Sequence, residues 1–103
     1  MLWRVNMVKV VFTYNVPGEK REDYLKSTAE VIKPYWESHG CKSYTVWQAD
    51  DESCYRKEML FESEQARNES IGMQRNDPKA KEVVGLFGQY AVNTQRKTYI
   101  KRV

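Results

Sequence analysis

The chain has 103 residues, with 17 Lys plus Arg against 14 Asp plus Glu, one His, two Cys and a hydrophobic fraction of 41%. That is one domain, able to bury roughly two thirds of its unfolded surface without a disulfide, and too short for a two-domain enzyme. No apolar run reaches the roughly 20 residues that cross a bilayer, the net charge of +3 falls short of a nucleic-acid binder's field, and Cys41, Cys54 and one His cannot make a zinc site without recruiting carboxylates. A cytoplasmic protein with reduced thiols, no membrane segment and no metal is therefore expected.

Residues 1–6 read as an extension within a single domain spanning 1–103. Met7 to Val16 is dominated by β-branched and aromatic residues and predicts the first strand, which Pro17-Gly18 stops. A helix follows. Tyr24, Leu25, Thr28, Val31, Ile32, Tyr35 and Trp36 recur at three- and four-residue spacing along one stripe; Pro34 is expected to kink its last turn and Gly40 to end it in the left-handed conformation. Lys42 to Ala49 and Cys54 to Phe61 predict a hairpin around Asp50-Asp51-Glu52-Ser53. Ser63 caps a helical region to about Met73, Asp77-Pro78 starts another to about Tyr90, and Thr94 to Val103 alternates as a fourth strand.

The order βαββαβ predicts an α+β, ferredoxin-like fold, an antiparallel four-stranded sheet with its two helices on one face. A four-residue hairpin loop pairs Ala49 with Cys54. Trp47 then lies opposite Arg56 and Thr45 opposite Glu58 on one face, while Tyr44 meets Met59 and Val46 meets Lys57 on the other. Strand one places Val8, Val10, Phe12, Tyr14 and Val16 on one side and Val11 and Thr13 on the other. An apolar second face needs a cover, and a second copy related by a two-fold axis supplies one.

The element order, the run Ile32-Lys33-Pro34-Tyr35-Trp36-Glu37-Ser38-His39-Gly40, the strand Tyr44-Thr45-Val46-Trp47-Gln48-Ala49 and the segment Met59-Leu60-Phe61-Glu62-Ser63-Glu64 resemble the dimeric alpha/beta-barrel superfamily. Its branches include antibiotic-biosynthesis monooxygenase-like, stress-responsive and NIPSNAP-like domains. The resemblance implies a homodimer through facing sheets, with a small-molecule pocket in or beside each sheet. Haem-degrading members carry an axial His on the second helix, and no His occurs between Ser63 and Tyr90. Cofactor-independent monooxygenase members hold a polycyclic phenol with Asn, Trp, Arg or Tyr; Asn15, Trp47, Arg56 and Tyr14 are of those types, although none matches a family motif position.

From the residues themselves, His39 is the one side chain that titrates near neutrality, yet a His in a last helical turn is also favoured by the helix dipole alone. Trp47 with Arg56 could clamp an aromatic acid or phenolate. Glu58 beside Thr45 could act as a base if burial raised its pKa. The same residues could instead form a water-facing cross-strand set or a dimer contact. The expected site is thus catalytic Arg56, Glu58 and His39 with ligand-binding Tyr14, Asn15 and Trp47, without cofactor. Its function would be that of a small-ligand binder acting as a cofactor-independent monooxygenase or isomerase on an aromatic or phenolic molecule.

Two other classes compete. A non-catalytic structural or regulatory dimer fits the same sequence. RNA recognition shares the element order, but the third strand Tyr55-Arg56-Lys57-Glu58-Met59-Leu60-Phe61 lacks the Gly and alternating aromatics that stack bases, so nucleic acid is not the expected partner. Phosphate loops, dinucleotide fingerprints, zinc-protease motifs and nucleophile elbows are absent from the sequence.

Overall fold

A computed structural model describes residues 6–103; most of the expected 1–6 extension lies outside the described residues. The elements run β1 (Val8–Asn15), α1 (Arg21–Ser27), α2 (Lys33–Glu37), β2 (Ser43–Gln48), β3 (Tyr55–Phe61), α3 (Glu64–Gly72), α4 (Pro78–Tyr90) and β4 (Val92–Ile100). The four strands form one antiparallel sheet in the order β2-β3-β1-β4. This is the ferredoxin-like α+β arrangement. No helix among the described residues is long and apolar enough to cross a membrane.

Local chemistry accounts for three of the helix ends. The Ser63 hydroxyl accepts from Ala66 N–H at 3.0 Å, and Asp77 accepts from Lys79 N–H at 2.9 Å with Pro78 at the first helical position. Gly40, at φ 100°, lets Cys41 N–H return to the Trp36 carbonyl at 3.0 Å and close the first helical segment.

The proline does something other than kink the last turn. Between α1 and α2, residues Thr28–Ile32 widen into a π-helical turn, with Lys33 N–H bonded to the Thr28 carbonyl. Pro34 has no N–H to give the carbonyl of Glu30 and its ring crowds that oxygen. The ladder accommodates it by slipping to the longer bond upstream.

The sheet's two faces differ sharply. Toward the helices point Val8, Val10 and Tyr14 of β1, Tyr44 of β2, and Tyr55, Met59 and Phe61 of β3, all buried with Ile32, Trp36, Ala80 and Val83. The other face is mixed rather than uniformly apolar, which corrects the expectation from Val11 and Thr13. Val11 is shielded there, but it lies between Glu58 and Lys97, and Trp47 stands 60% exposed. β4 is exposed along its whole length.

Candidate functional site

The β2–β3 register places Trp47 opposite Arg56, Thr45 opposite Glu58, Tyr44 opposite Met59 and Val46 opposite Lys57. Along β3, side chains alternate between faces, so Lys57 shares the helix-covered side with Tyr55, Met59 and Phe61. Lys57 is only 4% exposed. Its ammonium lies 3.5 Å from the ring centre of Phe87, 4.2 Å from that of Phe12 and 5.3 Å from that of Tyr44. Among the described residues, no carboxylate comes within ion-pair distance of it.

Ring faces attract a cation by about 2 kcal/mol when desolvated, less than the several kcal/mol that burying an ion costs. Loss of water therefore wins, and the Lys57 pKa is pulled down to about 7. At neutral pH its protonated and neutral forms are both within reach, so the group can give or take a proton.

Around it lies a tyrosine cluster. The Tyr14 and Tyr24 hydroxyls are hydrogen-bonded, Tyr14 stacks on Tyr55 at 6.0 Å and meets Phe87 edge-on at 5.0 Å, and Tyr24 contacts Tyr90 at 5.6 Å. Burial pushes the Tyr14, Tyr24 and Tyr44 phenols up, keeping all three protonated at neutral pH. The Tyr44 hydroxyl is buried without a hydrogen-bond partner, and Thr28 of the π-helical turn is buried beside Tyr24. Unpaired polar groups in an interior are costly, and helices that widen in this way often do so beside functional sites.

The six expected site residues do not converge. Arg56, Glu58 and Trp47 share the open face, whereas Tyr14 lies across the sheet in the tyrosine cluster; β1 pairs Tyr14 with Tyr55, one residue out of phase with Arg56. Glu58 accepts from Arg56 Nε at 2.7 Å and pairs with Lys9 at 3.0 Å. Lys9 first, and then Arg56, hold its carboxyl below the usual range, so the condition for a strong base, a raised pKa, is not met. Trp47 bonds its indole N–H to Thr45 at 3.2 Å and does not stack on Arg56 among the described contacts. Asn15 ends β1, with its side-chain oxygen buried and unpartnered.

His39 lies at the end of the first helical segment. Its ring stacks on Tyr35 at 4.2 Å and its Nδ1 donates to the Tyr35 carbonyl at 2.7 Å, which is the capping arrangement. Tyr35 donates in turn to Asp77 at 2.6 Å, tying that helix to the start of α4.

On the open face, Lys9, Arg56, Leu60 and Tyr99 line a shallow cleft of about 510 Å³. No group of three metal-binding side chains occurs among the described residues. Sequence reasoning missed Lys57 as a site residue, although its signal was present: a lysine opposite Val46, on the same strand phase as Tyr55, Met59 and Phe61.

A family model described as antibiotic biosynthesis monooxygenase matches residues 7–70. No curated protein matches. Similar solved structures include a conserved protein from Methanosarcina mazei, at TM-score 0.75, 21% identity and 95% coverage of both chains. The cofactor-independent oxygenase SnoaB from Streptomyces nogalater matches at TM-score 0.75 and 13% identity over 94% of both chains. A nipsnap family protein from Agrobacterium tumefaciens matches at TM-score 0.72 and 16% identity, over 96% of this chain and 91% of that one.

Proposed function

The chain belongs to the antibiotic biosynthesis monooxygenase family, and from that premise we propose that it binds an aromatic or phenolic small molecule against the helix-covered face of its sheet. There it acts as a cofactor-independent monooxygenase, with Lys57 as base and counter-charge. The single observation that carries this reading is the Lys57 ammonium, buried among rings with no anion of its own. Phe12 and Phe87, both half-buried, are the rings that a ligand would displace.

The chemistry balances without a second reductant. Neutral Lys57 removes a proton from an acidic ring CH₂ or phenol, and the resulting ammonium holds the delocalised anion. The carbanion donates its electrons to O₂, a C–O bond forms, and the peroxide loses water to leave a carbonyl. One oxygen atom enters the product and the other leaves as water. An isomerase would use the same base, returning the proton to a different carbon.

Oxygen uptake with a dihydroxyanthrone as probe tests this. Wild type should consume one O₂ per substrate oxidised, and Lys57→Met should lose at least about 100-fold, as is usual for a positioned base. Retention of uptake by the variant overturns the assignment. A second reading, a non-catalytic binder, is favoured by the close ring packing around Lys57; Lys57-dependent probe binding without uptake selects it.

The open face we assign to a second copy of the chain. Exposed Trp47 and Tyr99 supply apolar area, and Lys9, Arg56 and Glu58 supply paired charges. Cytoplasmic location is supported by the unpaired Cys41 and Cys54.

A further inference from the structure

A cluster of cations lies outside the ring nest, the rings of Phe12, Phe87 and Tyr44 around Lys57. Arg67 on α3, Arg75 just beyond it and Arg96 on β4 line one cleft of about 610 Å³, whose remaining polar lining is Asn68 and Gln74. No carboxylate lines it. Among the described residues, Arg75 and Arg96 have no acidic partner within ion-pair distance, and Arg67 has only the exposed Glu64 at 3.7 Å. The Arg67 Nε is buried and has no hydrogen-bond partner. Three guanidinium groups sharing a concavity repel one another, and an unsatisfied buried N–H adds to the cost. An anion relieves both.

The register connects this cleft to the ring nest. Phe12 pairs with Lys57 on one side and with Arg96 on the other, so Val46, Lys57, Phe12 and Arg96 form one row across the helix-facing side of the sheet. Adjacent strands lie about 4.8 Å apart, which puts the Lys57 and Arg96 backbones roughly 10 Å apart. That is the length of a two-ring aromatic body with a substituent. We infer that the arginine cleft receives an anionic group, carboxylate or phosphate, on the far end of an aromatic ligand whose hydroxylated end meets Lys57. The aromatic body rests on the function proposed above; the anion preference rests on the arginines.

The experiment measures binding of naphthol, hydroxynaphthoate and hydroxynaphthyl phosphate to the full chain by fluorescence titration. Either anionic probe should bind at least about tenfold more tightly than naphthol, since a charge-assisted hydrogen bond to a guanidinium is worth that much or more. Raising the salt should erode the advantage. Arg96→Gln and Arg75→Gln, both at exposed positions, should each remove most of it while leaving naphthol unchanged. The better anionic probe identifies carboxylate or phosphate. Equal binding of charged and neutral probes, no binding of either anion, or an advantage untouched by Arg96→Gln overturns the inference. Lys57→Met separates the two readings: if it leaves naphthol binding unchanged while the Arg96-dependent preference persists, the Lys57 role falls and the arginine cleft stands.

Discussion

Lys57 and Glu58 are neighbours on β3, and the sheet gives them opposite surroundings. Glu58 faces outward between Lys9 and Arg56, which favour its charged form, and its carboxyl is more acidic than usual. Lys57 faces inward among Phe12, Phe87 and Tyr44, where lost hydration disfavours its charge by more than the ring faces favour it. One residue of strand phase thus separates a satisfied ion from a stranded one. A fold selected for stability alone would favour an aliphatic residue at position 57, because a well-packed apolar side chain is often the more stable occupant of such a site. Proteins tolerate such local costs mainly where function requires them.

Five measurements break or sharpen this contrast. On the buried face, Phe61→Ala should lower unfolding free energy by about 3–5 kcal/mol in chemical denaturation, as ring-to-methyl truncations in packed cores do. A loss below about 1 kcal/mol would mean that this face is loosely packed. Lys57→Met should do the reverse and stabilise the protein by about 1–3 kcal/mol at pH 7. Destabilisation by that variant would show that the ring contacts outweigh the desolvation of the amine.

The pH profile carries the same information. The folded Lys57 pKa, about 7, lies below the unfolded value of 10.5, so between them the unfolded chain binds the extra proton. Stability should therefore climb between pH 7 and 9 by on the order of 2 kcal/mol and stay flat below the folded pKa, where both states are protonated. Above about pH 10 the buried tyrosines, protonated when folded and ionised when unfolded, reverse the trend. Lys57→Met should flatten the rise, and a wild-type profile already flat from 7 to 9 would contradict the burial.

The open face should respond weakly. Glu58→Gln should cost no more than about 1 kcal/mol, less in high salt, because its partners are well exposed. Trp47→Ala should change the stability of an isolated protomer by about 0.5 kcal/mol or less. Its effect should appear in sedimentation, as weaker self-association; unchanged sedimentation of a dimeric wild type would remove Trp47 from the interface.

The strand and helix pattern was legible because each rests on local chemistry. The four-residue hairpin loop set the β2–β3 register, including Trp47 opposite Arg56, and the Ser63 and Asp77 caps marked helix starts. What the sequence obscured was non-local. Placing Tyr14 beside Arg56 required the β1–β3 register, which no turn fixes, and that register puts them on opposite faces. The significance of Lys57 depends on what packs over it, and Phe87 arrives from α4, thirty residues along the chain.

The widened turn at Thr28–Ile32 gives one helical stretch two azimuths. An extra residue accommodated in a turn rotates everything downstream by about 100° relative to a regular helix. Upstream, Tyr24 joins the tyrosine cluster; from the last residue of the turn onward, Ile32, Tyr35 and Trp36 join the main core. Pro34 thereby acts as a phase-setting element, and a chain that rewound this segment into uniform α-helix could keep one of the two groups seated only by unseating the other.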